Sequence, residues 1–178
     1  LHPETIAKEE WKSEISGVLR ALDDLSDIYL IFTKSNADEG GRFINSQIAE
    51  FVSKLPEKRI LFDSIGHLNY LSMLQFVDGV VGNSSSGLIE APSFKIGTLN
   101  IGSRQKRRLK ANSVIDCLPS YQSVKNGLSK LLANKFATTL AKTQNPYGNV
   151  PPSSEIVRIL KDSDLNSLRS KTFYDIRN

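Results

Sequence analysis

Short apolar runs alternate along this chain with longer stretches in which apolar residues recur every three or four positions. Residues 28–32, 59–62, 98–102 and 113–116, and the shorter apolar run Val80-Val81, have the content of strands. The first of these, Ile28-Tyr29-Leu30-Ile31-Phe32, is apolar throughout, as expected of a strand covered on both faces. The intervening stretches read as helices. Residues 6–25 place Ile6, Trp11, Ile15, Val18, Leu19 and Leu22 on one stripe, and residues 42–55 do the same with Ile44, Ile48, Phe51, Val52 and Leu55. A short helix follows Tyr70 with Leu71, Leu74 and Val77 inward, and His67 reads as its cap. Further helices begin at Leu88 and near Ser120, the latter carrying Val124, Leu128, Leu131 and Leu132. A last helix carries Ile156, Val157, Ile159 and Leu160. Strands alternating with helices predict an α/β domain: a Rossmann-like parallel sheet with helices on both faces and right-handed crossovers. Residues 1–178 form one such domain, with a polar, irregular tail at 161–178 that can fray.

One stretch concentrates the chemistry. Val80-Val81 breaks at Gly82 into the polar turn Asn83-Ser84-Ser85-Ser86-Gly87, and Leu88-Ile89-Glu90-Ala91 opens a helix. A strand, a glycine-bounded turn and a helix start present backbone N–H groups at the positive end of a helix, a setting that attracts phosphate. Three serine hydroxyls add donors, and Arg104 follows the next strand. The turn also fits ordinary connecting chemistry. Two sharper motifs fail. Gly82 and Gly87 have P-loop spacing, but Leu88-Ile89 stands where Lys-Ser/Thr is required. A GxSxG nucleophile elbow needs glycine where Ser86 stands.

Composition narrows the class. Of 178 residues, 39% are hydrophobic and 24% charged, as in a soluble globular domain. No apolar run approaches the ~20 residues that span a bilayer, so no membrane partner is expected. The single cysteine, Cys117, excludes an intrachain disulfide, suits a reducing cytoplasm, and reads as a small buried hydrophobe. Much of the net charge of +4 comes from Arg104, Lys106, Arg107, Arg108 and Lys110. No aromatics interleave this cluster, so a small phosphorylated ligand explains it better than a nucleic acid.

The segments GNSSSGLIEAPSF, TLNIGSRQ and ANSVIDC, with His2-Pro3 at the start and Asn145-Pro146-Tyr147-Gly148 near the end, occur in the order of a known family. The chain resembles the C-terminal half of the hydrolysing UDP-N-acetylglucosamine 2-epimerases, most closely those of bacterial sialic and nonulosonic acid pathways. The resemblance implies the C-terminal domain of a GT-B-type two-domain enzyme, with the N-terminal catalytic half absent, no cofactor and no metal. It implies a UDP-sugar ligand (N-acetylglucosamine or the di-N-acetylated bacillosamine form), a cytoplasmic location and a homo-oligomeric full-length enzyme. By residue match His2 is the active-site histidine, near the phosphate–sugar junction. Tyr70 lies in the segment that holds uracil. Ser84 and Ser85 take phosphate oxygens, Ser86 and Gly87 belong to the same substrate-binding turn, Glu90 takes the ribose hydroxyls, and Arg104 the diphosphate region.

For Tyr70 the plain alternative is packing with its hydroxyl in water, and for Glu90 a first-turn carboxylate favoured by the helix dipole. The carboxylates that handle the sugar C2 proton belong to the other half, so the chain alone is expected to be inactive. Lys95, Gly97, Arg107 and Asn112 depart from the family's usual glycine, proline, glycine and acid. Two rival readings are the donor-binding half of a GT-B glycosyltransferase and a non-catalytic nucleotide-sugar binding module. Since His2, the 65–70 turn, Ser84 to Gly87 and Arg104 all follow strands, they are expected to meet at one edge of the sheet.

Overall fold

The computed structural model describes residues 1–3, 10–35, 39–148 and 151–164. Strands β1 (Leu30–Thr33), β2 (Arg59–Phe62), β3 (Gly79–Gly82), β4 (Gly97–Ile101) and β5 (Val114–Cys117) alternate with helices. These are α1 (Glu10–Asp23), α2 (Glu39–Ser53), α3 (His67–Met73), α4 (Ser86–Ile89), α5 (Tyr121–Leu131) and α6 (Phe136–Ala141). They belong to a compact unit, Leu1–Tyr147; a second unit, Gly148–Asn178, holds α7 (Ser153–Asp162). The Ile6 position, the Trp11 side chain, residues 36–38 of the expected turn and most of the expected tail lie outside the described residues.

Every described strand pair is parallel, but the strands form two sheets, β1-β2 and β3-β4-β5, rather than one. His2 links the C-terminal ends of β1 and β3: its ring meets Ser35, just past β1, and its backbone meets Asn83, just past β3.

One apolar layer unites the two sheets. Ile15, Val18 and Leu22 of α1, Ile44, Ile48 and Phe51 of α2, and Val124, Leu128 and Leu131 of α5 pack with Leu99 and Ile101 of β4. Leu30, Phe32, Leu61 and Val81 join that layer from the other strands. β4 is buried on both faces, as a central strand must be. Thr98 turns toward α4 while Leu99 turns toward α5, so helices do lie on both faces here. β1 differs from its expected double cover. Strand alternation turns Leu30 and Phe32 inward and leaves Tyr29 75% and Ile31 45% exposed.

Local chemistry accounts for other departures. The helix expected from Leu88 is a single turn, α4, followed by a 3-10 turn, Ala91–Phe94. Pro92 lacks the N–H that would continue an α-helical ladder. Glu90 therefore joins the two turns instead of lying in a helix's first turn. His67 is the first residue of α3 and not its cap; the capping position is Gly66, at φ 71°, with no side-chain cap bond. Leu132, expected inward, follows the end of α5 and is 41% exposed. The sequence pattern did not anticipate α6, whose Phe136 packs at Gly97. The apolar residues of α7 are about half exposed.

Candidate functional site

Asn83 is the centre on which the site is built. β3 ends at Gly82, whose φ of 152° is open to glycine, and the chain turns so that Asn83 is buried at 5% exposure. Its side-chain amide takes both backbone groups of His2: His2 N–H donates to Oδ1 at 2.7 Å, and Nδ2 donates to His2 O at 2.7 Å. Its backbone carbonyl accepts from Arg104 Nη1 at 3.0 Å and from Gln105 Nε2 at 2.8 Å. Ser35 completes the group, its Oγ 3.1 Å from His2 Nδ1, while Asn45 holds the Ser35 backbone through two hydrogen bonds. Two residues far apart in sequence, His2 and Arg104, thus meet on one asparagine.

Beside this group lies the serine turn. Ser84 is exposed, Ser85 and Ser86 are half-buried, and Ser86 N–H lies 3.4 Å from Ser84 Oγ. Gly87 is buried for a packing reason. A Cβ there would come within 2.5 Å of Thr98 Cγ2, and Thr98 Oγ1 donates to Gly87 O at 2.8 Å. The turn is thereby pinned to the central strand. Glu90, half-buried, follows α4. Asn145 of the Asn-Pro-Tyr-Gly turn reaches Ile89 O and Ser93 Oγ, fastening that distant segment to α4.

Tyr70 comes up from α3 on the other side. Its hydroxyl is hydrogen-bonded to Ser86 Oγ, so the alternative of a hydroxyl left only to water does not hold. Burial, with the negative charge of Glu90 adding, raises its pKa against the opposing effect of the Ser86 bond. The same tyrosine lines a cavity of about 260 Å³ with Thr33, Lys34, Asp63, Ser64, Ile65, Gly66 and His67. That cavity sits past the C-terminal ends of β1 and β2, where open α/β sheets take ligands. In the basic loop, Lys110 is paired with Asp116 at 2.7 Å, while Lys106, Arg107 and Arg108 are exposed.

The structure thus brings together His2, Tyr70, Ser84, Ser85, Ser86, Gly87, Glu90 and Arg104 around the ends of β1 to β4. Sequence reasoning overlooked Asn83, Ser35 and Gln105 as members. A clue existed for Asn83, a polar residue locked between a strand-ending glycine and a turn, but nothing local revealed its partners. Cys117, expected to be buried, is half-buried and packs against the core; burial, with Asp116 adding, pushes its thiol up to about 11.

These features define the class: a Rossmann-like α/β domain with a polar site at the C-terminal ends of its parallel strands. Residues 1–161 match the family described as UDP-N-acetylglucosamine 2-epimerase, and the chain belongs to that family. It is 37% identical over 176 residues to a GDP/UDP-N,N'-diacetylbacillosamine 2-epimerase (hydrolyzing) of Campylobacter jejuni, covering 98% of this chain and 45% of that protein. It is 35% identical over 177 residues to the polysialic acid biosynthesis protein P7 of Escherichia coli, covering 98% and 45%. The chain therefore spans less than half the length of these relatives. Among solved structures, the Staphylococcus aureus MnaA–UDP co-structure superposes with a TM-score of 0.70 at 16% identity, over 96% of this chain and 46% of that one. The Methanocaldococcus jannaschii UDP-GlcNAc 2-epimerase in complex with UDP-GlcNAc and UDP does so with a TM-score of 0.65 at 18% identity, over 88% and 42%. At these identities the structural likeness concerns the fold.

Proposed function

We propose that this chain is the UDP-binding, C-terminal part of a hydrolysing UDP-sugar 2-epimerase acting on a UDP-linked N-acetylated amino sugar. The observation that carries the reading is the meeting of His2 and Arg104 on Asn83, beside the serine turn and the Tyr70-lined cavity. A nucleoside diphosphate needs a recess for its base and donors for its phosphates, and both lie along one line of strand ends. The family and the names of the relatives support the sugar.

In the proposed reaction a base removes the proton at C2 of the sugar, and the C1–O bond breaks with its electron pair leaving on UDP. Water then adds to the resulting glycal, giving the free 2-epimeric sugar. Charge develops on the departing β-phosphate, so donors already oriented there lower the barrier. Ser84, Ser85, Ser86 and the Gly87 N–H take phosphate oxygens, Arg104 adds a guanidinium, and Glu90 takes the ribose hydroxyls. His2 stands at the phosphate–sugar junction as an electrostatic stabiliser or proton donor. The group that abstracts the C2 proton lies outside these residues.

Calorimetric titration with UDP tests the reading. Weak, saturable UDP binding is expected, with uridine weaker still. No UDP binding at millimolar concentration by the folded chain overturns it, and transfer of the sugar to an acceptor by the full-length protein would favour a glycosyltransferase.

A further inference from the structure

A side-chain bond between Tyr70 of α3 and Ser86 of α4 joins the segments that follow β2 and β3. Both ends of that bond are fixed to the scaffold. On α3, the Tyr70 N–H donates to Gly66 O at 3.0 Å, and Leu74 N–H donates to Tyr70 O at 3.1 Å. Leu74 is 1% exposed and anchors this helix to the interior. On the other side, Ser86 precedes Gly87, which Thr98 clasps to the buried strand β4. The bond is thus a strut between the cavity wall and the serine turn.

We propose that Tyr70 is a positioning residue for the anion side of the site: it donates its hydroxyl proton to Ser86 Oγ and so turns the Ser86 O–H outward onto a phosphate oxygen of a bound nucleoside diphosphate. This rests on the nucleotide reading above and adds a role for the phenol that stacking against a base does not require. The direction of the relay follows from counting protons. An ionised phosphate oxygen only accepts, so a serine bonded to it must donate. Each hydroxyl carries one proton, which leaves the tyrosine's proton for the Tyr70–Ser86 bond. Two hydroxyl bonds in series polarise each other, so the outer one strengthens. Burial favours the protonated phenol, keeping the donor in place. The same residue then contributes its ring to the base recess and its hydroxyl to the phosphate side, which makes the two subsites answer to one side chain.

Titration of the chain and of Tyr70→Phe with UDP and with uridine separates this role from packing. Phenylalanine keeps the ring, so uridine affinity should be unchanged, while UDP affinity falls about twofold to tenfold, the effect of losing one hydrogen bond. In a Ser86→Ala chain the relay has no middle member, and adding Tyr70→Phe should weaken UDP no further. Unchanged UDP affinity in Tyr70→Phe overturns the relay. So does an equal loss for uridine and UDP, or an undiminished Tyr70→Phe effect in the Ser86→Ala chain. A chain that binds no UDP at all overturns the nucleotide reading and the relay with it; one that binds UDP indifferently to Tyr70→Phe overturns the relay alone.

Discussion

Asn83 holds His2 as a neighbouring strand would, through one donated and one accepted hydrogen bond, both 2.7 Å long. A side chain here performs the work of a backbone. Asn83→Ala should detach the first residues from β3 and leave two part-buried backbone groups without these partners. The expected loss is about 1–3 kcal/mol of stability, read by urea unfolding. Asn83→Asp keeps the acceptor for His2 N–H but sets a carboxylate oxygen against His2 O, and should recover little of the loss.

The serine turn and Arg104 separate a phosphate site from a connector. Ser84→Ala and Ser85→Ala should each weaken UDP by about 1.5–3 kcal/mol, roughly ten- to a hundredfold. Arg104→Lys should weaken it too, because lysine keeps the charge and loses the planar fork. Uridine affinity should hardly change in these variants. An equal loss for both ligands would mean a packing defect and remove the phosphate assignment.

Gly87 tests how tightly α4 is packed on β4. Gly87→Ala drives a methyl into Thr98 Cγ2, which lies 2.5 Å from the new Cβ position, and overpacking of this kind costs about 1–3 kcal/mol. Thr98→Ser removes that methyl and keeps the hydroxyl that donates to Gly87 O. Adding it to Gly87→Ala should restore part of the melting temperature; no rescue would show that the strain lies elsewhere.

Lys95 occupies a left-handed backbone conformation at φ 57°, directly after the 3-10 turn. Glycine adopts this conformation without the Cβ clash that a lysine meets there. Lys95→Gly should relieve about 1 kcal/mol of backbone strain, offset in part by loss of the Lys95 Nζ bond to Ala141 O at 2.6 Å. Denaturant titration should show a small net gain in stability.

Cys117 gives a signature in alkali. Its thiol is raised from the ordinary 9.0 to about 11, so the folded chain holds the proton more tightly than the unfolded chain. That contribution is complete below pH 9 and is lost as pH rises through the folded value. The stability difference between the chain and Cys117→Ala should stay constant up to about pH 9 and shrink between there and pH 11. Labelling by a thiol reagent at pH 8 should be slow, and rapid labelling would show an accessible thiolate.

The chain's pattern by itself determined the alternation of strands and helices, the parallel class of the sheet and the residues of the serine turn. These are local or periodic properties: apolar spacing of two or of three to four, and glycine where a turn demands it. Motif order supplied the family for the same reason, since a run of residues is complete in one dimension. Tertiary structure decided the rest. It divided the strands between two sheets and exposed one face of β1. It also chose the site's hidden members. Asn83 reaches 81 positions back to His2, and Tyr70 reaches 16 forward to Ser86. Hydrogen bonds of that span have no period and no local signature. They exist only because parallel strands carry their C-terminal ends to one side, where residues distant along the chain come within bonding distance.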